Sequence, residues 1–166
     1  ILTTIAGMAL LLFSAVLGKK ESFLLLNADL GMMADWFFRF FTNLGDGWAY
    51  AVLLLLFIIY RRRLLPLLFS VALISTLIVQ GSKNFIFPGE PRPMKAIAET
   101  ALIHTVPDVT IHTVNSFPSG HTTVAFSVFL VASLVIPNRW IVPAGFLYAL
   151  LVGYSRIYLA QHFPTD

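Results

Sequence analysis

The chain has 166 residues, of which 58% are hydrophobic and only 11% charged, where a soluble domain carries about a quarter charged residues. That deficit excludes an ordinary water-facing surface, and the absence of cysteine excludes disulfides, thiolate catalysis and Cys-ligated metals. The formal net charge of +3 is small, and its basic residues cluster in Arg61, Arg62 and Arg63, which reads as membrane topology rather than nucleic-acid binding.

A bilayer core of ~30 Å requires roughly 20 apolar residues as helix. The first apolar run covers residues 1–17. The second, 48–60, is short and needs residues 44–47 to reach full length. The third covers 64–80, the fourth 121–136 and the fifth 140–159. Together they predict an all-α integral-membrane helical bundle with five spans, in one domain over residues 1–166. Ile1 opens inside an apolar run and Asp166 follows a helix-starting pattern, so the chain is read as a fragment cut at both ends.

Between the first two runs, residues 19–43 mix Phe23, Leu24, Leu25, Leu26, Trp36, Phe37, Phe38, Phe40 and Phe41 with Lys, Asp and Arg. Amphipathic, aromatic-rich stretches prefer the membrane interface, so an interfacial helical segment is expected. Arg61, Arg62 and Arg63 follow the second run and Arg139 follows the fourth. The positive-inside rule puts both on the cytoplasmic side. Lys19 and Lys20 fall on the outer side, where three consecutive arginines outweigh them.

Three segments on that outer side hold nearly all the remaining polar chemistry: KNFIFPGEPRP at 83–93, SFPSGH at 116–121 and SRIYLAQHFPTD at 155–166. Ionisable groups at membrane depth are costly, so their convergence is itself a functional signal. Lys83, Arg92 and Arg156, without a matching number of acids, call for an anion, and the planar fork of arginine suits phosphate oxygens. Pro118, Ser119 and Gly120 lead into a helix whose free amides make a ready anion site. A neutral His162 can attack phosphorus, and a protonated His121 can donate to the leaving oxygen. Asp166, four residues after His162, can hold its ring. Pro164 is expected to open a further helix with Asp166 in its first turn.

The second and third segments resemble the signature of the type 2 phosphatidic acid phosphatase and vanadium haloperoxidase superfamily, K-x6-R-P, P-S-G-H and S-R-x5-H-x3-D. Residues 118–121 match the second motif without change, and residues 155–166 match the third in every position. The first differs, with eight residues between Lys83 and Arg92 rather than six. The resemblance implies a six-helix bundle, of which five are present here, and metal-independent chemistry through a phosphohistidine. It makes His162 the nucleophile, His121 the general acid and Asp166 the orienting acid. Lys83, Arg92, Ser119, Gly120 and Arg156 would hold phosphate oxygens.

The function expected is hydrolysis of a phosphomonoester or diphosphate on a lipid: undecaprenyl diphosphate, phosphatidylglycerol phosphate, phosphatidic acid or lipid A phosphate. Lipid substrate and bilayer are the expected partners; no nucleic acid, cofactor or metal is expected. A bacterial inner membrane with an outward-facing site fits best. The competing class is a non-catalytic membrane protein that binds anionic headgroups. His104 and His112, outside any motif, read as surface residues, Glu90 and Asp108 read as solvated loop charges, and Ser119 reads equally well as a plain helix cap. Asp46, between Gly45 and Gly47 at the start of the second run, is a candidate neighbour of the site.

Overall fold

The computed structural model describes residues 1–166, all of them helix, turn or loop. The helices are α1 (Leu2–Leu17), α2 (Lys19–Leu26), α3 (Met32–Asn43), α4 (Trp48–Tyr60), α5 (Leu65–Gly81), the short α6 (Pro93–Ala96), α7 (Gly120–Val135) and α8 (Ile141–Tyr158). Each of the five apolar runs is therefore a helix. Two stretches are long and apolar enough to cross a membrane unaided: Arg62–Ile86, with 25 residues, and α8, with 18. The pairs α1–α2 and α3–α4 reach that length only together, bent by 115° and 54°. Gly18, at φ +92°, makes the first bend in a conformation that disfavours other residues. Helix α7 is shorter, at 16 residues.

The third apolar run predicts a helix that ends at residue 80. Instead the helix continues through a π-helical turn, Ser82–Ile86. No proline interrupts residues 81–87, and the wider turn carries Lys83 onward from the helix end.

Outward faces are apolar. On α5 the side chains of Leu73, Ile74, Leu77 and Ile78 are all more than half exposed, a stripe suited to lipid rather than water. Helices α7 and α8 meet through small buried residues, Ala125 and Ala149, with Val152, which let the backbones approach closely. Ser75 and Ser127 share a hydrogen bond of 2.9 Å between α5 and α7. The aromatic segment α3 lies across α8, where Phe38 packs on Tyr154 and Tyr158.

One end of this bundle is densely built. Nine consecutive residues from Ser155 to Phe163 are buried. The buried Asn27 donates to the carbonyls of His104, Ile157 and Tyr158 and accepts from the His104 amide, tying the long loop between α5 and α7 to the end of α8. His104 reaches Asp35 at 3.0 Å, and Tyr158 donates to the same carboxylate. At the other end Arg61 borders Ile136 and Pro137, so the basic loops after α4 and α7 lie together, away from the motifs.

Candidate active site

Past α8 the chain folds back on itself. The amides of Gln161 and His162 both return to the carbonyl of Arg156 (2.9 and 3.1 Å), which sets His162 beside Arg156. Residues 163–166 then form a turn, with the Asp166 amide donating to Phe163 O at 3.1 Å. The turn has the bonding of a helix start: the Asp166 carboxylate accepts from the Phe163 amide at 2.9 Å, as an acid does in a capping box.

The same carboxylate oxygen takes a hydrogen bond from Ser116 Oγ and lies 3.3 Å from His162 Nδ1. Both side chains of the His162–Asp166 pair are buried. With Nδ1 turned to Asp166, Nε2 keeps its lone pair. Burial pushes the His162 imidazole down to about 4, against the opposing Asp166 hydrogen bond and with help from Arg92 and Arg156. Burial pushes the Asp166 carboxyl up, but the bonds from His162, Ser116 and Phe163 together hold it below its ordinary value. The pair is thus a neutral imidazole on a carboxylate, the state a nucleophile requires.

Three cations surround it. Arg92 is buried and donates to four neutral oxygens: Val114 O at 2.9 Å, Gln161 O and Oε1 at 3.2 and 3.1 Å, and Asn115 O at 3.5 Å. Arg156, also buried, donates to Thr42 Oγ1 at 2.6 Å, while its Nε is buried with no hydrogen-bond partner. Lys83 is half-buried and close enough to feel the charges of Arg92, Arg156 and Asp166. The π-helical turn therefore delivers Lys83 to the cluster despite the two extra residues in its motif.

The partners of these cations decide the electrostatics. Carbonyl and hydroxyl oxygens solvate a guanidinium without cancelling its charge. On the rim, by contrast, Lys19 pairs with Glu90, Lys20 with Glu99 and Arg39 with Asp108. With Asp166 and Asp46 the acids near Lys83, Arg92 and Arg156, the centre keeps an excess of positive charge while the rim is paired, which favours a bound anion.

Helix α7 starts against this cluster. Ser119 Oγ caps it by accepting from the amide and hydroxyl of Thr122, and the Ser119 amide donates to Asp166 O. Its capping role is thus real, and it also ties the second motif to the third. The amides of Gly120 and His121 make no hydrogen bond within the protein, leaving the positive end of the helix available. His121 Nε2 lies 2.8 Å from Asp46 Oδ1.

The structure thus brings all eight sequence candidates to one end of the bundle. It adds residues that the motifs do not include: Ser116 on Asp166, Thr42 on Arg156, Gln161 on Arg92 and Asp46 on His121. The flanking pair Gly45 and Gly47 is the one available signal for Asp46. Nothing in the sequence marks Thr42. His104 belongs to the loop anchor rather than the site. His112 is exposed, and partial burial with the charges of Arg92, Arg156 and Lys83 lowers its imidazole, so it stands near the rim of the cluster.

Known proteins resemble this chain in fold and in sequence. A crystal structure of Aquifex aeolicus LpxE superposes with a TM-score of 0.73 and 32% identity, over 87% of this chain and 82% of that one. YbjG of Escherichia coli (strain K12) is 31% identical over 70% of this chain. The undecaprenyl-diphosphatase of Sulfolobus acidocaldarius is 24% identical over 88%, and undecaprenyl-diphosphatase BcrC of Bacillus subtilis (strain 168) is 37% identical over 46%. The chain spans 54%, 68% and 36% of the lengths of these three relatives. Residues 63–166, which hold every one of the eight candidates, match the model of the PAP2 superfamily, and the chain belongs to that family.

Proposed function

We propose that this chain carries the catalytic centre of a membrane lipid phosphatase that works through a phosphohistidine at His162. The observation that carries the reading is the buried His162–Asp166 pair, set beside two buried arginines that hydrogen-bond only to neutral oxygens. His162 Nε2 attacks phosphorus in line, and the bond to the leaving oxygen breaks as His121 supplies its proton. Water, giving a proton back to His121, then cleaves the phosphohistidine and releases inorganic phosphate. Arg156, through its unpaired Nε and its remaining donors, and Lys83 stabilise charge on the equatorial oxygens, together with the Gly120 amide and Ser119. Arg92 contributes mainly its field, since protein oxygens occupy most of its donors. In this scheme cationic side chains do the work that a metal does elsewhere.

The relatives named undecaprenyl-diphosphatases support a polyprenyl diphosphate as the substrate, with the terminal phosphate transferred and the lipid monophosphate leaving. Phosphatidylglycerol phosphate, phosphatidic acid and lipid A phosphate share the same recognition chemistry. The exposed apolar helices keep the lipid tail in the bilayer while its phosphate meets the site. The buried motif end, opposite Arg61, Arg62 and Arg63, then faces outward from a bacterial inner membrane.

The test is phosphate release by the full-length protein from each of these four lipids, with EDTA present and with vanadate as a phosphate mimic. Release that survives EDTA and is inhibited by vanadate is expected. Binding of anionic lipid without release from any of the four would instead make this a headgroup-binding protein.

A further inference from the structure

We propose that Asp46 is a positioning residue for His121, holding the ring by its Nε2 so that Nδ1 gives its proton to the leaving group and recovers one from water. The proposal rests on the reading of His121 as general acid and adds a residue that lies outside the three motifs and before the stretch matched by the family model.

The geometry begins at the break between α3 and α4. Tyr148 of α8 donates to Leu44 O at 2.7 Å, pinning the turn to the bundle. A Cβ on Gly45 would sit 2.5 Å from Val152 Cγ1 and 3.1 Å from both Cβ and O of His121. Only glycine lets the turn lie this close to both α7 and α8. The next residue is then delivered against the imidazole, 2.8 Å from Oδ1 to Nε2. The Asp46 amide and carbonyl are bonded to Asn43 O and the Ala49 amide, so the backbone that carries the carboxylate is itself fixed.

The chemistry gives the contact a purpose. A general acid must be protonated when the leaving oxygen departs, yet the charged groups facing His121 are Arg156 from α8, Arg92 from the long loop and Lys83 from the π-helical turn. All three oppose an imidazolium. Asp46 is the carboxylate that touches it. By accepting from Nε2–H in both protonation states, Asp46 fixes one tautomer, directs Nδ1 to the substrate and offsets the surrounding positive charge. The proton count closes: Nδ1 gives its proton to the leaving oxygen, and Nδ1 recovers one from the water that cleaves the phosphohistidine.

The experiment compares Asp46→Asn, Asp46→Glu, His121→Ala, His162→Ala and the double variant Asp46→Asn/His121→Ala in the full-length protein. The substrates are dodecyl phosphate, whose alkoxide needs a proton, and 4-nitrophenyl phosphate, whose phenolate does not. For Asp46→Asn, kcat on dodecyl phosphate should fall on the order of 10²-fold with KM within about twofold, and kcat on 4-nitrophenyl phosphate should fall only a few-fold. His121→Ala should show the same leaving-group dependence, and the double variant should lose no more than His121→Ala alone. Asp46→Glu should recover much of the loss.

Equal losses on both substrates, a change confined to KM, or additive losses in the double variant would make Asp46 a structural residue and overturn the proposal, as would wild-type turnover by Asp46→Asn. In each of those cases an inactive His162→Ala leaves the nucleophile assignment standing. An active His162→Ala would instead bring down the underlying reading and this proposal with it.

Discussion

The cations at the motif end of the molecule fall into two groups that share residue types but not partners. Arg92 and Arg156 are buried, and every hydrogen-bond acceptor they have is a neutral oxygen. Lys19, Lys20 and Arg39 sit a short distance away on carboxylates and are partly exposed. Burying an uncompensated charge costs several kcal/mol, and carboxylate pairing is a common remedy. At the centre no carboxylate is hydrogen-bonded to either arginine, and neutral carbonyl, amide and hydroxyl oxygens take that place. Lys83, Arg92 and Arg156 still outnumber Asp166 and Asp46 there, and in the proposed mechanism that excess positive charge meets the substrate phosphate, while the rim pairs fasten the loop.

The contrast is most vulnerable at Arg156. Replacing it with Met keeps most of the volume and removes the charge, so phosphate release should fall on the order of 10²–10³-fold with folding intact. Arg156→Lys should restore little of it, because a point charge does not reproduce the fork. Arg92→Gln tests the other half of the central pair. It leaves buried carbonyls without donors, so it should lose activity and also about 2–3 kcal/mol of stability, read by thermal unfolding in detergent. A stable Arg92→Gln protein would mean that the carbonyl cage is incidental.

A smaller effect should appear with pH. In the proposed mechanism neutral His162 is the nucleophile, and burial pushes its imidazole down to about 4. Activity should therefore fall as pH drops through about 4. The folded state binds the His162 proton less readily than the unfolded chain. The stability from this histidine is then complete above its ordinary value and lost progressively as pH falls to about 4. An acid limb near the ordinary histidine value would contradict the buried pair. Smallest of all should be Lys19→Gln and the triple change of Arg61, Arg62 and Arg63 to Ala. Turnover per folded molecule should stay within about twofold, because exposed pairs contribute little. The arginine variant should show its effect in membrane orientation, measured by protease access.

Much of this architecture is legible in the amino-acid sequence. The five apolar runs are helices in the structure, because hydrophobic length is a local property of the chain. His121, His162 and Asp166 are legible because their spacings are local as well: P-S-G-H opens a helix, and four residues separate His162 from Asp166. Contacts made across the fold leave little trace. Ser116 reaches Asp166 fifty positions away, and Thr42 reaches Arg156 over 114; neither residue type signals such a partner. Lys83 is out of register only when counted along the chain, whereas the π-helical turn changes how far and in which direction those residues project. Asp46 is weakly marked for a related reason. Its flanking glycines suggest a turn, but only the close approach of Gly45 to Val152 and His121 shows where that turn lies.

Whether His162 is the nucleophile is decided by trapping the phosphoenzyme. The full-length protein would be mixed with lipid diphosphate radiolabelled in its terminal phosphate and quenched in alkaline detergent, with the modified peptide then identified by mass spectrometry. An alkali-stable, acid-labile label is expected on the peptide containing His162 and absent from His162→Ala. A label on any other residue, or continued phosphate release by a folded His162→Ala protein, would contradict the assignment.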